Sequence, residues 1–377
     1  MTPAERSRWI CERARAVGFD LCGVASAEAF DELKHLPEWL ERGYTGEMSY
    51  LRDPRRADPR LVLAGARSVI VVALNYNTQH PYSTEAAAWP NAGEPPRGWI
   101  SRYAWGDDYH EVLGEKLETL LAAMRAQFPE PFEARVYVDT GPVVERVAAM
   151  QAGLGWMAKN TCLIHAELGS WLFLGVVVTT LDLAPTLAAG EAPPADLCGN
   201  CTLCLDACPT QAFPAPYILD ATQCISYLTI ELRGTIPDGL RAAMGRAVIG
   251  CDICQDVCPW NRKAPVTRLA AFQPRQFAEA GESLLAPELE WLASLAQEDF
   301  SRVFRASAVK RAKWRGLIRN ACVALGNSGV ARDSDAYRRV ALLLSRLADA
   351  DDALIAEHAR WALARLALQG PLPGPLS

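Results

Sequence analysis

Eight cysteines between residues 198 and 258 have types and spacings suited to iron–sulfur chemistry. The first four follow the pattern C-x2-C-x2-C-x3-C-P, at Cys198, Cys201, Cys204 and Cys208. The next four are a lone cysteine and then C-x2-C-x3-C-P, at Cys224, Cys251, Cys254 and Cys258. Three thiolates two residues apart can surround one face of an iron–sulfur cube, whereas a fourth thiolate just before a proline points away from it. The sequence therefore predicts two 4Fe-4S clusters.

The first run resembles that of bacterial ferredoxins, in which the last cysteine of each run binds the other cluster. This resemblance assigns one cluster to Cys198, Cys201, Cys204 and Cys258, and the other to Cys208, Cys224, Cys251 and Cys254. Zinc and disulfide bonds are the alternatives. A zinc ribbon leaves the third cysteine and both Cys-Pro endings unexplained, and disulfides belong mainly to small secreted chains. This chain has 377 residues and opens with a charged segment that does not resemble a secretion signal.

An aspartate lies at the junction of a predicted strand and a predicted helix, in VYVDTGPVVER. A carboxylate at such a junction can line a pocket, and Asp139 is therefore a candidate site residue. The alternative is a helix N-cap or an Asx-turn that stabilises the helix predicted to begin at Pro142. Lys159 and Asn160 follow in a polar loop that either contacts a ligand or is solvated.

Elements predicted by hydrophobic periodicity must position these residues. Buried strands are predicted at 20–26, 66–77, 133–140 and 171–183, and helices at the N-terminus, 28–42, 107–127 and 142–152. This pattern predicts an α/β or α+β domain over 1–183. A ferredoxin-like domain over 184–265 and an all-α domain over 266–370 follow, so that the whole chain is α+β.

Three further stretches complete the predicted organisation. Residues 309–329 and 351–368 are amphipathic and resemble each other in the manner of HEAT-like repeats. Residues 81–96 are predicted to be a surface loop and 371–377 a disordered tail. The longest apolar stretch, WLFLGVVV, is too short to span a bilayer. We therefore expect a soluble, cytoplasmic protein with no membrane partner. We also expect a monomer.

Six separated blocks, together with the eight cysteines, resemble the epoxyqueuosine reductase family. They are RADPR, SRYAWGDDYH, VDTGPVVER, GLGWMAKNT, CISYLTIE and IGCDICQDVCPWN, beginning at residues 56, 101, 138, 153, 224 and 249. The resemblance covers most of the chain. Its plan of a cobalamin domain with a ferredoxin-like domain also resembles the reductive dehalogenases.

The resemblance implies a cobalamin held between the first two domains and a tRNA substrate carrying epoxyqueuosine at the wobble position. It implies that Asp139 is the proton donor. The residues implied to contact cobalamin are Arg56, Arg102, Asp139, Lys159, Asn160, Ser226, Gly250 and Cys251. Converting the epoxide to an alkene with loss of water takes two electrons and two protons. Low-potential clusters can pass the electrons singly, from a donor that the sequence does not identify, and a neutral carboxylic acid can supply a proton.

One cobalamin motif is absent. The D-x-H-x-x-G motif supplies an axial histidine in other cobalamin proteins, but here Gly114 follows Asp108-Tyr109-His110 one residue late. We predict that His110 is a polar residue at the start of a helix rather than a cobalt ligand.

The net charge of −6 argues against a nucleic-acid partner, but residues 301–330 contain seven basic residues and no acidic one. A helix beginning near Val309 would place Arg311, Arg315 and Arg319 on one outward face. A solvated basic face is the ordinary interpretation. The family resemblance favours contact with tRNA phosphates, by Lys310, Arg311, Lys313, Arg315 and Arg319. Five aromatic residues could contact unpaired bases, at Tyr44, Tyr50, Trp99, Tyr103 and Trp105.

Two other functions use the same cysteines. A reductive dehalogenase would carry a twin-arginine signal, which the opening segment lacks, and would not need a basic helical domain. A simple electron-transfer protein would bind no corrin and would leave the N-terminal domain without a purpose.

Overall fold

The structure, a computed structural model, describes residues 1–85 and 94–368. Part of the predicted loop 81–96 and the whole predicted tail 371–377 lie outside these residues. The strands are β1 (Leu21–Ser26), β2 (Ser68–Asn75), β3 (Trp99–Ile100), β4 (Ala134–Tyr137), β5 (Trp156–Met157), β6 (Leu163–Ile164), β7 (Leu172–Thr179), β8 (Ala247–Ile249), β9 (Gln276–Phe277) and β10 (Glu282–Ser283). The helices are α1 (Pro3–Val17), α2 (Leu36–Glu41), α3 (Tyr109–Gln127), α4 (Glu145–Gln151), α5 (Leu203–Asp206), α6 (Ile225–Ile230), α7 (Asp238–Arg241), α8 (Ile253–Asp256), α9 (Leu289–Ser294), α10 (Gln297–Val303), α11 (Lys313–Gly326), α12 (Asp335–Ala348) and α13 (Ala353–Leu368).

A four-stranded antiparallel sheet, in the order β1-β2-β7-β4, organises the first half of the chain. Successive side chains of a strand point to opposite faces, and both faces of β2 are covered. Ile70 and Val72 pack with residues of α1 and α3, whereas Val69 and Val71 pack with residues of α4. The four predicted strands are confirmed, and the antiparallel pairing makes this part α+β.

Two predicted helices are shorter than expected. The segment predicted as 28–42 is a 3₁₀ turn at Asp31–His35 followed by α2, which begins at Leu36 with Pro37 in its first turn, where no backbone N–H is available to continue the preceding turn. The helix predicted from Pro142 begins only at Glu145, and a loop occupies residues 138–144. That loop carries Asp139.

The cysteine-rich part is joined to the first half by the short parallel pair β3–β8, in which Trp99 aligns with Ala247 and Ile100 with Ile249. Its two runs each contain one four-residue helix, α5 and α8, and these helices pack together. The two cysteine runs, which have similar sequences, therefore adopt similar local structures.

Residues 266–368 are mostly helical, but they open with the β9–β10 hairpin, so the all-α prediction is wrong at its start. The apolar core of α9 to α13 extends beyond the predicted boundaries. It includes Trp99 and Trp105 from the first half and Val248 and Ile249 from the cysteine-rich part. Among the described residues, none of the helices combines the length and apolar character needed to cross a membrane.

Candidate functional site

Four of the eight cysteines, called the first set below, surround a cavity of about 250 Å³. The four thiols that line it are those of Cys198, Cys201, Cys204 and Cys258. Cys258 belongs to the second run in sequence, and the side chains of Cys198 and Cys258 contact the same apolar cluster beside Trp260. Four thiols around a shared space fit the ligand set of an iron–sulfur cube.

The second set comprises Cys208, Cys224, Cys251 and Cys254, all of which are partly buried. Cys224 and Cys251 pack against one apolar cluster. Burial first, and then the neighbouring thiol of Cys224, raise the pKa of Cys251 well above its ordinary value. All twelve cysteines have free thiols. Across residues 1–85 and 94–368, no three His, Cys, Asp or Glu side chains converge as they would around a single metal ion.

Polar groups from the first half fix the loops that carry these cysteines. Lys159 Nζ donates to the carbonyl oxygens of Gly199 and Cys201 at 2.6 and 2.9 Å, and Asn160 Nδ2 donates to the carbonyl oxygen of Cys254 at 3.2 Å. Both residues were predicted to contact cobalamin, and that prediction stays open. The hydrogen bonds of their side chains run to both cysteine runs.

A buried carboxylate that the sequence analysis missed performs the same task. Asp252 is 2% exposed and accepts hydrogen bonds from Trp99 Nε1 at 3.0 Å, from the Arg102 N–H at 2.8 Å and from the Ser101 hydroxyl. These three donors lie in one short segment about 150 residues earlier in the chain. Asp252 therefore fixes the second cysteine run to β3 and the residues that follow it.

The prediction that the Arg102 side chain contacts cobalamin is wrong. Arg102 is 1% exposed, and its guanidinium donates to the carbonyl oxygens of Thr78, His80 and Pro81 at 3.0 to 3.1 Å. Its carbon Cζ also lies 4.6 Å from the centre of the Trp105 ring. The backbone supplies acceptors for both terminal nitrogens, whereas Nε has no hydrogen-bond partner. At 1% exposure the side chain offers no surface to a ligand.

Asp139 is held by hydrogen bonds, and its side chain remains accessible to solvent. Its backbone adopts a left-handed conformation, with φ of 58°, directly after β4, which an aspartate tolerates better than most residues. Its carboxylate accepts a 2.8 Å hydrogen bond from the Tyr109 hydroxyl, and its N–H donates to Glu145 Oε1 at 2.7 Å. The side chain is 67% exposed. Asp139 is not the N-cap of α4, because Val144 occupies that position.

The groups around Asp139 form a short polar chain. His110 Nε2 lies 3.8 Å from Asp139 Oδ2, and its Nδ1 lies 2.7 Å from Asp108 Oδ1. Asp108 is the N-cap of α3, so the prediction that His110 stands at the start of a helix is confirmed. Burial first, and then the negative charge of Asp139, raise the pKa of both Tyr109 and Glu145 well above their ordinary values. Tyr109 therefore stays protonated and remains a donor.

Two tyrosines connect this acid with the second set of cysteines. The Tyr109 ring meets the Tyr103 ring edge to face, with 6.2 Å between centroids. Tyr103 packs on Gly250, where a Cβ would lie 3.1 Å from the Tyr103 ring and 2.5 Å from Ser101 Cβ. Gly250 also has φ of 69°, so two separate constraints require glycine there. Of the predicted cobalamin contacts, Asp139, Gly250 and Cys251 thus lie along one continuous path.

Two other predicted contacts flank this path. Ser226 lies on α6, two residues after Cys224, and is half-buried. Arg56 is 8% exposed and donates from Nε to the carbonyl oxygen of Tyr50 at 3.3 Å and from Nη1 to that of Val143 at 3.5 Å. Arg56 therefore supports the loop that carries Asp139.

The basic segment differs from its prediction at one important residue. Its helix, α11, begins at Lys313 and follows a 3₁₀ turn at Ala308–Ala312. Arg319, predicted to face outward, is fully buried and donates to the carbonyl oxygens of Leu228, Leu232 and Gly234. These carbonyls lie at and just beyond the end of α6, where helix geometry leaves acceptors unpaired. Arg319 is therefore excluded from any RNA-binding face.

The remaining predicted RNA contacts are exposed at the surface. They are Lys310, Arg311, Lys313 and Arg315. Arg311 is paired with Glu231 through two 2.8 Å hydrogen bonds, and Arg315 is paired with Asp352. Acidic residues from elsewhere in the chain thus neutralise part of a segment that has none of its own.

A double set of cysteines beside an accessible, hydrogen-bonded carboxylic acid defines an iron–sulfur oxidoreductase. Two family descriptions match the chain: "Epoxyqueuosine reductase QueG, DUF1730" over residues 56–140 and "4Fe-4S double cluster binding domain" over residues 197–261. The epoxyqueuosine reductase of Synechocystis is 44% identical over 79% of this chain and 96% of its own length. That of Xanthomonas campestris is 37% identical over 96% and 97%. The chain belongs to the epoxyqueuosine reductase family.

Solved structures agree with this assignment. A crystal structure of epoxyqueuosine reductase with an epoxyqueuosine-modified tRNA-Tyr stem loop superimposes with a TM-score of 0.83 and 30% sequence identity, over 96% of this chain and 90% of that one. The enzyme of Streptococcus thermophilus gives a TM-score of 0.81 at 30% identity, with the same coverage.

Proposed function

We propose that this protein reduces the epoxide of epoxyqueuosine, at the wobble position of tRNA, to the alkene of queuosine. Two 4Fe-4S clusters would relay electrons from a low-potential donor to a bound cobalamin, and Asp139 donates a proton. The observation that carries this proposal is the accessible carboxylate of Asp139, held by Tyr109 and joined through Tyr103 to Gly250 and Cys251. A solved relative that contains an epoxyqueuosine-modified stem loop supports the choice of substrate.

The reaction sets what the protein must supply. Both carbon–oxygen bonds of the epoxide break, a carbon–carbon double bond forms, and the oxygen leaves as water, which consumes two electrons and two protons. The clusters and the cobalamin supply the electrons at low potential when they are bound. The chain must therefore orient the epoxide, exclude solvent and deliver protons to the oxygen.

Asp139 is placed to deliver the first proton. Its hydrogen bond from Tyr109 leaves one carboxylate oxygen available, and the side chain is mostly exposed until substrate covers it. His110 lies 3.8 Å away and is itself held by Asp108. Small movements would bring the His110 Nε2–H within hydrogen-bond distance of Asp139. We propose that His110, held by Asp108, then returns a proton to Asp139 for the second transfer.

The other residues hold the groups in place. Cys198, Cys201, Cys204 and Cys258 would hold the first cluster, whose cavity they line. Cys208, Cys224, Cys251 and Cys254 would hold the second. Together with Ser226 and Arg56, the path residues Gly250 and Cys251 form the proposed cobalamin side of the site.

The exposed cations of the basic segment form the proposed tRNA-binding surface. We retain Lys310, Arg311, Lys313 and Arg315 for phosphate contacts, and we exclude Arg319. Contacts of this kind give affinity that depends on salt and little on sequence. We propose that the protein acts as a monomer in the cytoplasm, where tRNA and reduced electron carriers are available.

The test is anaerobic reconstitution with iron, sulfide and cobalamin, followed by reduction with an epoxyqueuosine-containing stem loop. Nucleoside mass spectrometry should detect the loss of one oxygen. In Asp139→Asn, the rate should fall by about 10²- to 10⁴-fold while the cluster and corrin absorbance stay unchanged, because an amide cannot donate an acidic proton.

Asp107→Asn is the matched control, since Asp107 is an exposed carboxylate just before α3, the helix that carries Tyr109, and pairs with Arg275. Its rate should stay within about twofold of the wild type, as expected for the loss of a surface ion pair. Near-normal turnover in Asp139→Asn with both cofactors bound would remove Asp139 from the mechanism.

A further inference from the structure

Tyr50 is an exposed aromatic residue beside the proposed reaction centre. Five aromatic residues were candidates for base contacts. Trp99 and Trp105 are buried in the core, and Tyr44 and Tyr103 are partly buried. Tyr50, in the 3₁₀ turn Ser49–Arg52, is 45% exposed. It is therefore the candidate best able to offer a ring to a ligand.

Two arginines from distant parts of the chain flank this ring. The Cζ of Arg56 lies 5.8 Å from the ring centroid and that of Arg311 lies 5.6 Å from it. Both guanidinium groups are held by hydrogen bonds to other parts of the protein. Arg56 is buried and bonded to the carbonyl oxygens of Tyr50 and Val143, while Arg311 is fixed by both carboxylate oxygens of Glu231. The ring is thus held in place, and the positive charges of two guanidinium groups lie close to it.

The position of Tyr50 joins the two surfaces assigned above. Arg56 connects it to Val143, in the loop that begins with Asp139. Arg311 connects it to the exposed cations that precede and open α11. Burial, and then the charge of Glu231, raise the pKa of Tyr50. Through the two arginines, Tyr50 is linked both to the loop that carries Asp139 and to the basic segment.

We propose that Tyr50 is the stacking platform for an unpaired base of the RNA loop, next to the nucleotide that enters the reaction centre, and that Arg311 binds the adjoining phosphate. The proposal rests on the proposed function, since it takes the ligand to be an anticodon loop. Single-stranded RNA is recognised by aromatic rings on which bases stack, together with cations that bind the backbone. A rigid ring beside fixed guanidinium groups meets both requirements.

The experiment measures the affinity of the reconstituted protein for an epoxyqueuosine-containing stem loop by fluorescence anisotropy. Tyr50→Leu keeps an apolar side chain but removes the π-face, and it should weaken binding by about 5- to 150-fold. Tyr50→Phe keeps the ring and should bind within about twofold of the wild type. Tyr217→Leu is the matched control, because Tyr217 is 47% exposed but lies on the cysteine loops, bonded to Asp196. Its affinity should not change.

Salt titration separates stacking from phosphate binding. Tyr50→Leu should leave the slope of log affinity against log salt unchanged, whereas Arg311→Gln should reduce it by about one. The proposal is overturned if Tyr50→Leu binds as tightly as the wild type, or if Tyr50→Phe loses as much affinity as Tyr50→Leu. A stem loop that binds in a Tyr50-dependent way but is not reduced would defeat the proposed function and leave the platform standing.

Discussion

Arg102 and Arg319 are buried arginines, and the guanidinium group of each donates to three backbone carbonyl groups. Both were predicted to contact ligands, Arg102 by the family resemblance and Arg319 by its spacing from Arg311 and Arg315. The acceptors lie about 20 and 90 residues away in sequence, so a local pattern could not identify them.

His358 gives a pH-dependent prediction at this scale. It is fully buried in α13, where Nε2 accepts from the Ile236 N–H and Nδ1 faces the Leu354 carbonyl oxygen. Burial lowers its pKa to about 4. Between about pH 6.5 and 4 the unfolded chain therefore binds more protons than the folded one, and stability falls as the pH falls, by up to about 1.4 kcal/mol per pH unit.

Urea unfolding at pH 7 and pH 5 checks this. The wild type should lose about 2 kcal/mol more than His358→Gln, which keeps a donor and an acceptor but does not titrate. An equal loss in the two proteins would mean that other groups control the acid sensitivity.

At the scale of elements, α11 combines a structural face and a binding face. Arg319→Met should lower the free energy of unfolding by about 3 kcal/mol, because three carbonyl groups lose a charged donor. Arg315→Met, one helical turn away, removes an exposed ion pair with Asp352 and should cost less than about 1 kcal/mol.

The two variants should rank in the opposite order in their effect on stem-loop binding. Arg315→Met should reduce the salt slope by about one, while Arg319→Met, at a temperature where it is folded, should leave the slope as in the wild type. An effect of Arg319→Met on the slope without any loss of stability would return Arg319 to the RNA-binding surface.

The elements also explain which parts of the site could be predicted. Cysteine spacing and a carboxylate at a strand end are local features, and both can be recognised from the sequence alone. Tyr109 and Asp252 were missed, because each acquires its importance from a partner that is 30 or about 150 residues distant. Periodicity indicated the four strands, but it carries no information on pairing direction, which left α/β and α+β both open.

At the scale of the whole molecule, the grouping of the cysteines is the feature with the sharpest test. In the crossed assignment Cys208 and Cys254 hold the same cluster. The double variant Cys208→Ala/Cys254→Ala should therefore keep half of the wild-type iron and acid-labile sulfide after anaerobic reconstitution. If each run held its own cluster, this variant would lose both.

The complementary pair is the control. Cys208→Ala/Cys258→Ala removes one ligand from each cluster in both the crossed and the uncrossed assignment, so it should lose nearly all iron in either case. Iron contents that are the same for both double variants would contradict the crossed assignment.

The crossed arrangement also has a consequence for how the protein is made. The first cysteine of the first set is residue 198, and the last is residue 258, sixty residues later. In the proposed crossed arrangement, a ribosome must translate both runs before either cube can acquire all its thiolates. Metal loading would then be deferred until β8 and α8 exist, and a nascent chain that stalls between the runs would leave both clusters unfinished.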